Sequence, residues 1–308
     1  MEDKLNKLEI RSLGDCTIRE ITEQWNTGFQ QYLGSDSIGM SIVQTTGRLG
    51  RLNIHPDLSV AAFVEGVPAG FVMIGLAEAN GRKLAWNGGT GVNPSFRGHS
   101  LSKLLLREAI RRTQSAGAHS LSLETRIEND RAIRSYLSCG FEIRDQVHVM
   151  RKEGGFADLP FARSRSSDYR TVPVAPCRAG LLPFYPLAKN SWTVEWFMTE
   201  DSEAIIALDH YGEAAGYAIY RRSLDSTGRL DSIQLTQCEA DPQRGDGRDV
   251  IRFMLADIFS PLTELSFRSF HYLRESNGEA LMALHEAGFI TVYSEHLMTL
   301  DFERHPDA

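Results

Sequence analysis

The sequence predicts an α/β protein of two tandem domains, each a mixed, mostly antiparallel sheet flanked by helices. Three observations lead there. Between Gly91 and Phe141 the chain reads strand, helix, strand, helix in close succession. The second half repeats the first: Asn129-x-x-Ala132-Ile133-x-x-Tyr136-x-x-x-Gly140-Phe141 returns as Asn277-x-x-Ala280-Leu281-x-x-Leu284-x-x-x-Gly288-Phe289, an offset of 148 residues. A length of 308 residues is also comfortable for two domains that each bury a core. One repeat at so long a period means two domains, because a solenoid would show many short ones. The expected division is a first domain over residues 1–155, a linker over 156–180 and a second domain over 181–308.

The elements follow in order. Leu8–Leu13 reads as a strand, followed by helices from about Thr17 to Phe29 and from about Ser37 to Leu49, the latter expected to shape a cleft. Val60–Glu65 and Pro68–Leu76 form a two-strand meander around Glu65-Gly66-Val67, a sequence suited to a hairpin. Ser202–Asp209 and Glu213–Arg221 echo it around Tyr211-Gly212. A strand at Lys83–Val92 leads through Asn93-Pro94-Ser95-Phe96 into a helix ending near Ala116, and His119–Glu124 is the next strand. Asn129 opens the following helix, and Gly140 ends it in the left-handed conformation, as Gly288 does in the second copy. Phe156–Gly180 is rich in Ser, Arg and Pro and reads as a connection. The aromatic run from Phe184 to Phe197, with Tyr185, Trp192 and Trp196, fits packing at a seam between domains or a face toward substrate.

Composition excludes several classes of function. Hydrophobic content of 42% and charged content of 24% are ordinary for a globular protein. The first seven residues lack the apolar core of a secretory signal. The most apolar stretch, Val60–Leu76, is broken by Glu65, Gly66 and Pro68, so no membrane span is expected. Cys16, Cys139, Cys177 and Cys238 show no metal-ligand spacing and fit reduced thiols, so a cytoplasmic protein without a metal is expected. Charge is uneven: residues 1–160 carry 19 Lys+Arg against 18 Asp+Glu, and residues 161–308 carry 14 against 22. The acidic half is either a well-solvated domain or a wall that draws a cationic substrate. A nucleic-acid partner is not expected, since phosphate binding wants the opposite sign.

The chemistry concentrates at two motifs. A helix opening directly from a strand through small residues presents unpaired N–H groups and the positive end of its dipole, a cradle for pyrophosphate. Asn129 and Tyr136, seven residues apart, share one helix face. At these residues the sequence resembles the GNAT acyltransferases, whose pyrophosphate loop runs Arg/Gln-x-x-Gly-x-Gly/Ala. Here it reads Arg97-Gly98-His99-Ser100-Leu101-Ser102, with serine at two of the family's glycine positions. Serine keeps its N–H and adopts helical angles, so the cradle is expected to survive, while Gly98 stands where the pattern does not demand glycine. The family's second motif matches at Asn129, Ala132, Ile133, Tyr136, Gly140 and Phe141.

The resemblance implies an acetyl-CoA co-substrate and a set of roles. Thr90, Gly91 and Val92 would meet the pantetheine arm through backbone groups, in a slot opened where their strand splays from the next. Arg97 and the stretch Gly98, His99, Ser100, Leu101, Ser102 and Lys103 would hold the pyrophosphate, with extra donors from Ser100 and Ser102 and a charge from Lys103. Tyr136 would be the general acid that protonates the departing thiolate; a phenol of ordinary pKa near 10 carries its proton at neutral pH. Asn129 fits a cofactor contact, a helix N-cap, or both. Glu124 fits the general base or a structural ion-pair partner. His55 and His99 lie in loops and fit solvated side chains better than bases. Trp25, Phe29 and Tyr32 are substrate-contact candidates.

The second copy reads as degenerate. Its loop is Arg244-Gly245-Asp246-Gly247-Arg248-Asp249, where two aspartates would repel a diphosphate, and Leu284 replaces the phenol. The expected function is therefore acetyl transfer by the first domain to a primary amine of a cationic small molecule or peptide-like antibiotic. The second domain would line the groove, and the chain would be a monomer or weak dimer. The layout resembles self-resistance acetyltransferases of the zwittermicin and paenilamicin type. Alternatives are a protein N-terminal or lysine acetyltransferase, a mycothiol-synthase-like acyltransferase, and a non-catalytic acyl-CoA-binding regulator.

Overall fold

The computed structural model describes residues 7–30, 39–156, 158–161, 168–199 and 201–304. In chain order the elements are β1 (Leu8–Ser12), α1 (Ile18–Gly28), α2 (Ile42–Arg51), β2 (Val60–Val64), β3 (Val67–Ala79), β4 (Arg82–Val92), α3 (Leu101–Ser115), β5 (Ser120–Arg126), α4 (Asp130–Leu137) and β6 (Glu142–Lys152). There follow β7 (Tyr169–Val174), α5 (Pro176–Gly180), β8 (Glu203–Asp209), β9 (Ala214–Leu224), β10 (Leu230–Ala240), α6 (Gly247–Ile258), β11 (Phe267–Arg274), α7 (Gly278–Glu286) and β12 (Ile290–Asp301). No described helix is long and apolar enough to cross a membrane.

Two compact units result, one of residues 1–143 with 298–308 and one of residues 144–297. The division differs from the expected 1–155 and 181–308. The difference has two physical sources. The first unit needs the chain's last strand: Met298, Leu300 and Phe302 are buried in its core, and the Phe302 N–H donates to the His119 carbonyl. The supposed linker, in turn, contains an edge strand and a short helix. β7 pairs antiparallel with β8 from Tyr169↔Asp209 to Val174↔Ala204, and Pro173 is tolerated because β7 ends the sheet. Serine- and proline-rich composition concealed it.

In the first unit the strand order is β1-β2-β3-β4-β5, with the end of β12 beside β5. One face is covered by α3, whose Leu101, Leu105, Leu106, Ala109 and Ile110 pack on Val60, Ala62, Val72, Ile74, Ala85, Leu121 and Leu123. The helical spacing of those apolar residues is what lets one helix seal a face of alternating strand residues. On the other face Trp25 of α1 packs against Phe71 of β3 at 5.8 Å between ring centroids. Capping boxes start α1 at Thr17 and Glu20, and α2 at Ser41 and Gln44. The second box starts α2 at Ile42, while the expected start at Ser37 lies outside the described residues. The β2–β3 hairpin turns at Glu65 (φ 51°) and Gly66 (φ 80°), as its sequence suggested.

The second unit has the order β12-β6-β11-β10-β9-β8-β7, with α6 and α7 on a core that includes Leu235, Val250, Met254 and Leu284. The aromatic run packs within this unit. Tyr185 lies against Tyr217 at 5.4 Å, and the Trp196 ring lies over Gly180, where a Cβ would come within 2.3 Å. Because Leu300 fills the first unit's core, Leu300→Ala should destabilise that unit by about 2–5 kcal/mol. In denaturant unfolding followed by hydrogen exchange, residues 60–125 should lose protection before residues 203–258.

Candidate functional site

Strands β4 and β5 run parallel and are paired only from Leu84↔Ser120 to Trp86↔Ser122. Beyond that point they diverge. A bulge marks the place: Met73 faces Gly89 and Ile74 faces Asn87, leaving Gly88 as the extra residue of β4. The splay expected before Gly91 and Val92 is thus present. A cavity of about 200 Å³ opens there, lined by Gly28, Phe29, Thr90, Gly91, Val92, Arg97, Ser102, Asn129, Arg131, Ala132, Ser135 and Tyr136. The structure therefore brings together eight of the residues picked from the sequence: Phe29, Thr90, Gly91, Val92, Arg97, Ser102, Asn129 and Tyr136.

Each of these has a local reason for its position. The Asn93 side chain accepts from Ser95 N–H and donates to the Pro68 carbonyl, turning the chain from β4 toward α3. Asn129 accepts from the Ala132 N–H at 3.2 Å, so it caps α4 and lines the cavity at once. Tyr136 sits two turns along α4, half-buried, 5.8 Å from the Phe141 ring. Gly28 and Gly91 meet face to face. A Cβ on Gly28 would lie 3.0 Å from the Gly91 Cα and 2.7 Å from the Phe71 ring, so α1 reaches this floor only because both residues are glycine.

Arg97 lines the cavity and also binds backbone around it. Its Nε donates to the Val92 carbonyl at 3.0 Å, and its Nη2 to the carbonyls of Gln30 (3.0 Å) and Gly28 (3.4 Å). It clips the C-terminal end of α1 to the end of β4, where the helix dipole favours a cation. Burial, and then the charge of Arg131, push the Arg97 pKa below its ordinary value. Arg131 was missed by sequence reading. Its signal was position: it lies two residues past the cap of a helix whose other face carries Tyr136.

The loop before α3 departs from the expectation in two ways. Gly98 adopts φ 87°, so glycine is needed there after all. Ser100, the N-cap, takes φ 58° and ψ 15° rather than helical angles and makes no side-chain cap. The backbone path that glycine favours has been kept without the glycine. The first N–H groups of α3 stay uncapped by any side chain, unlike those of α1, α2 and α4. Leu101 contributes only its backbone, because its side chain is 2% exposed and belongs to the core. Gly98, His99, Ser100 and Lys103 border the cradle without lining the cavity, and His99 Nδ1 lies 3.0 Å from the Arg97 carbonyl. Glu124 is also outside the lining. Its carboxylate accepts from the Trp86 indole at 2.6 Å, on the sheet face opposite Leu121 and Leu123. Tyr32 lies outside the described residues.

An uncapped helix start, a slot between diverging strands and a phenol at its side fit a diphosphate carrier with a narrow reactive arm. The residues present thus suit acetyl-CoA. No group of three or more metal-ligating side chains occurs among the described residues.

The second unit repeats the divergence of strands. β10 and β11 pair only from Ser232↔Phe267 to Leu235↔Phe270, and β10 shifts register against β9 between Leu235 and Gln237. Here the positions are filled. Gln237, at the place of Gly89, donates to Tyr185 Oη (2.9 Å) and accepts from Tyr217 (2.8 Å). Glu239, at the place of Gly91, takes a salt bridge from Arg274 at 2.8 Å. At the loop, Arg244 grips Asp246 through two bonds and Asp209 through a third, and Tyr169 donates to Asp246 at 2.7 Å. Asp246 is therefore spent inside the protein, which corrects the expectation of a bare repelling charge. Leu284, in place of Tyr136, is fully buried.

Residues 20–141 match the model of the Acetyltransferase (GNAT) family. An acetyltransferase of Sodalis glossinidius is 28% identical over 102 residues, spanning 33% of this chain and 69% of the relative. A GNAT structure from Sphaerobacter thermophilus matches with a TM-score of 0.61 at 14% identity, covering 96% of each chain. A tandem GNAT protein from the clavulanic acid biosynthesis pathway matches with a TM-score of 0.57 at 14% identity, covering 96% of this chain and 98% of that one. At such identities the two structures speak for the fold alone. The family match itself covers residues 20–141, within the stretch that carries the cavity.

Two outcomes follow. A left-handed non-glycine residue costs about 1–2 kcal/mol, so Ser100→Gly should raise the unfolding free energy by about 1 kcal/mol in urea titration. Hydrogen bonds from Arg244 hold the Asp246 pKa at about 2, below the ordinary 3.8. Its contribution is therefore complete above pH 3.8 and is lost as pH falls toward 2. Side-chain carboxyl NMR should show Asp246 titrating near pH 2, and Arg244→Met should return it toward 3.8.

Proposed function

We propose that this chain transfers the acetyl group of acetyl-CoA to a primary amine of a cationic small molecule, with all chemistry in the first unit. The observation that carries the reading is the shared cavity, in which the start of α3, the open edge of β4 and the Tyr136 phenol converge. The donor supplies an activated acyl carbon on a thioester. The chain supplies the rest. The uncapped N–H groups of α3 hold the diphosphate, and the Arg131 guanidinium adds charge. The β5-facing edge of Thr90–Val92, beyond the end of the β4–β5 ladder, pairs with the amide-bearing arm as a further strand would. Tyr136 then gives its proton to the departing sulfur.

A cationic acceptor is supported by charge rather than contact. The excess of acid in residues 161–308 gives a field that raises the local concentration of a polyamine. Acetylation would remove one of that molecule's positive charges, which is the chemistry of inactivating a cationic antibiotic. The filled positions of the second unit support one cofactor per chain.

Thiol release from acetyl-CoA, measured with polyamines, aminoglycosides and basic peptides, tests the reading. A cationic acceptor should give the highest kcat/KM, and its KM should rise with ionic strength as the field is screened. Tyr136→Phe should lower kcat by about 100-fold or more with acetyl-CoA affinity unchanged. Calorimetry should give one CoA per chain. Release that no amine stimulates would instead mean an acyl-CoA sensor.

A further inference from the structure

The bulge in β4 also rearranges the side chains beside the slot. One extra residue reverses the alternation, so Asn87 and Thr90, three apart, come to share a face of the strand. Their side chains meet. Asn87 Nδ2 donates to Thr90 Oγ1 at 2.8 Å, and Asn87 Oδ1 lies 3.1 Å from that same oxygen. The amide is held by a third contact, the Gly89 N–H donating to Asn87 Oδ1 at 3.1 Å. A backbone N–H only donates, so the atom it meets is the carbonyl oxygen, and this fixes which end of the amide is nitrogen. Asn87 is 5% exposed, whereas Thr90 is half-buried and lines the cavity. A hydroxyl has one donor and two acceptor sites. With Nδ2 filling an acceptor site, the Thr90 hydrogen is left to turn between Asn87 Oδ1 and whatever occupies the slot.

We propose that the Thr90 hydroxyl donates a hydrogen bond to the carbonyl oxygen of the bound thioester, and that Asn87 is the residue that positions it. The inference rests on the acetyl-CoA reading of this cavity. When the amine nitrogen bonds to the acyl carbon, the carbonyl π pair moves onto oxygen. Thr90 then faces growing negative charge, and its hydrogen turns from Asn87 Oδ1 onto that oxygen. As the carbon–sulfur bond breaks, the pair returns to re-form the carbonyl, the sulfur takes the Tyr136 proton, and the nitrogen gives up its own proton to solvent, which returns one to the Tyr136 phenolate. A hydroxyl whose oxygen Asn87 holds in place favours the charged oxygen over the neutral one, which is what accelerates the step.

The second unit supplies an internal control. At the same 148-residue offset, Leu235 stands for Asn87 and Cys238 for Thr90, on a strand with the same register shift. Cys238 is fully buried. The copy without the phenol therefore also lacks both members of this pair.

The test compares acetyl-CoA with CoA, which has no carbonyl at this place, by calorimetry alongside turnover. Thr90→Val keeps the shape and removes the donor. It should weaken acetyl-CoA about three- to tenfold, leave CoA unchanged, and lower kcat on the order of 100-fold. Thr90→Ser should restore both. Asn87→Asp, which only accepts, should draw the hydroxyl hydrogen away and reproduce the loss of preference for acetyl-CoA. An unchanged ratio of the two affinities in Thr90→Val overturns the proposal, whatever happens to kcat. An unchanged ratio in Asn87→Asp overturns the role given to Asn87. Wild-type protein that binds neither compound would instead remove the reading beneath it.

Discussion

The divergence of β4 from β5 after Trp86 and Ser122 is the constraint on which this molecule depends. Two paired strands have no room between them and no free backbone groups. Once the ladder stops, one strand shows its N–H and C=O groups to a slot, and the helices at the strand ends flank it. The Gly88 bulge sets where this happens, and the glycine contact between Gly28 and Gly91 keeps the floor shallow. Arg97 ties the same two elements together through three backbone carbonyls. The second unit obeys the same constraint and reaches the opposite outcome. Gln237 and Glu239 stand where the first unit has Gly89 and Gly91; Gln237 bonds the buried Tyr185, and Glu239 pairs with Arg274. The strands part in both units, and the side chains around the opening differ between them.

Unmet interactions identify the site as much as its shape does. Among the described residues of the first unit are four α-helices, and three of them are capped by their own Thr, Ser or Asn side chains. The fourth, α3, is not. Near it stand two arginines close enough for each other's charge to matter. An anion would relieve both conditions at once. The left-handed Ser100 adds local strain at the same loop, a pattern that functional sites tolerate when the surrounding structure holds the residue in place.

Much of this was readable from the residues alone, for particular reasons. The Asn129-to-Phe141 pattern fixes a cap, a helix face and a left-handed stop, each with its own local chemistry. The Glu65-Gly66 turn specifies its hairpin in the same way. What escaped notice depends on distant partners. β7 looked like a linker because Pro173 and its neighbours are poor strand formers, and only pairing with β8 makes them a strand. The first unit's need for Leu300 spans more than 150 residues of chain and leaves no local trace. Asn87 escaped because a bulge moves it to the face of Thr90, and no periodicity announces a bulge. Arg97 was recognised as important, yet its partners are carbonyls that no motif displays.

Amide hydrogen exchange with and without acetyl-CoA measures the central claim most directly, since it reports each unit separately. The account predicts slowed exchange at Thr90–Val92 and at Gly98–Lys103, with residues 237–250 unaffected. Slowing confined to residues 237–250, or absent from both stretches, would contradict it.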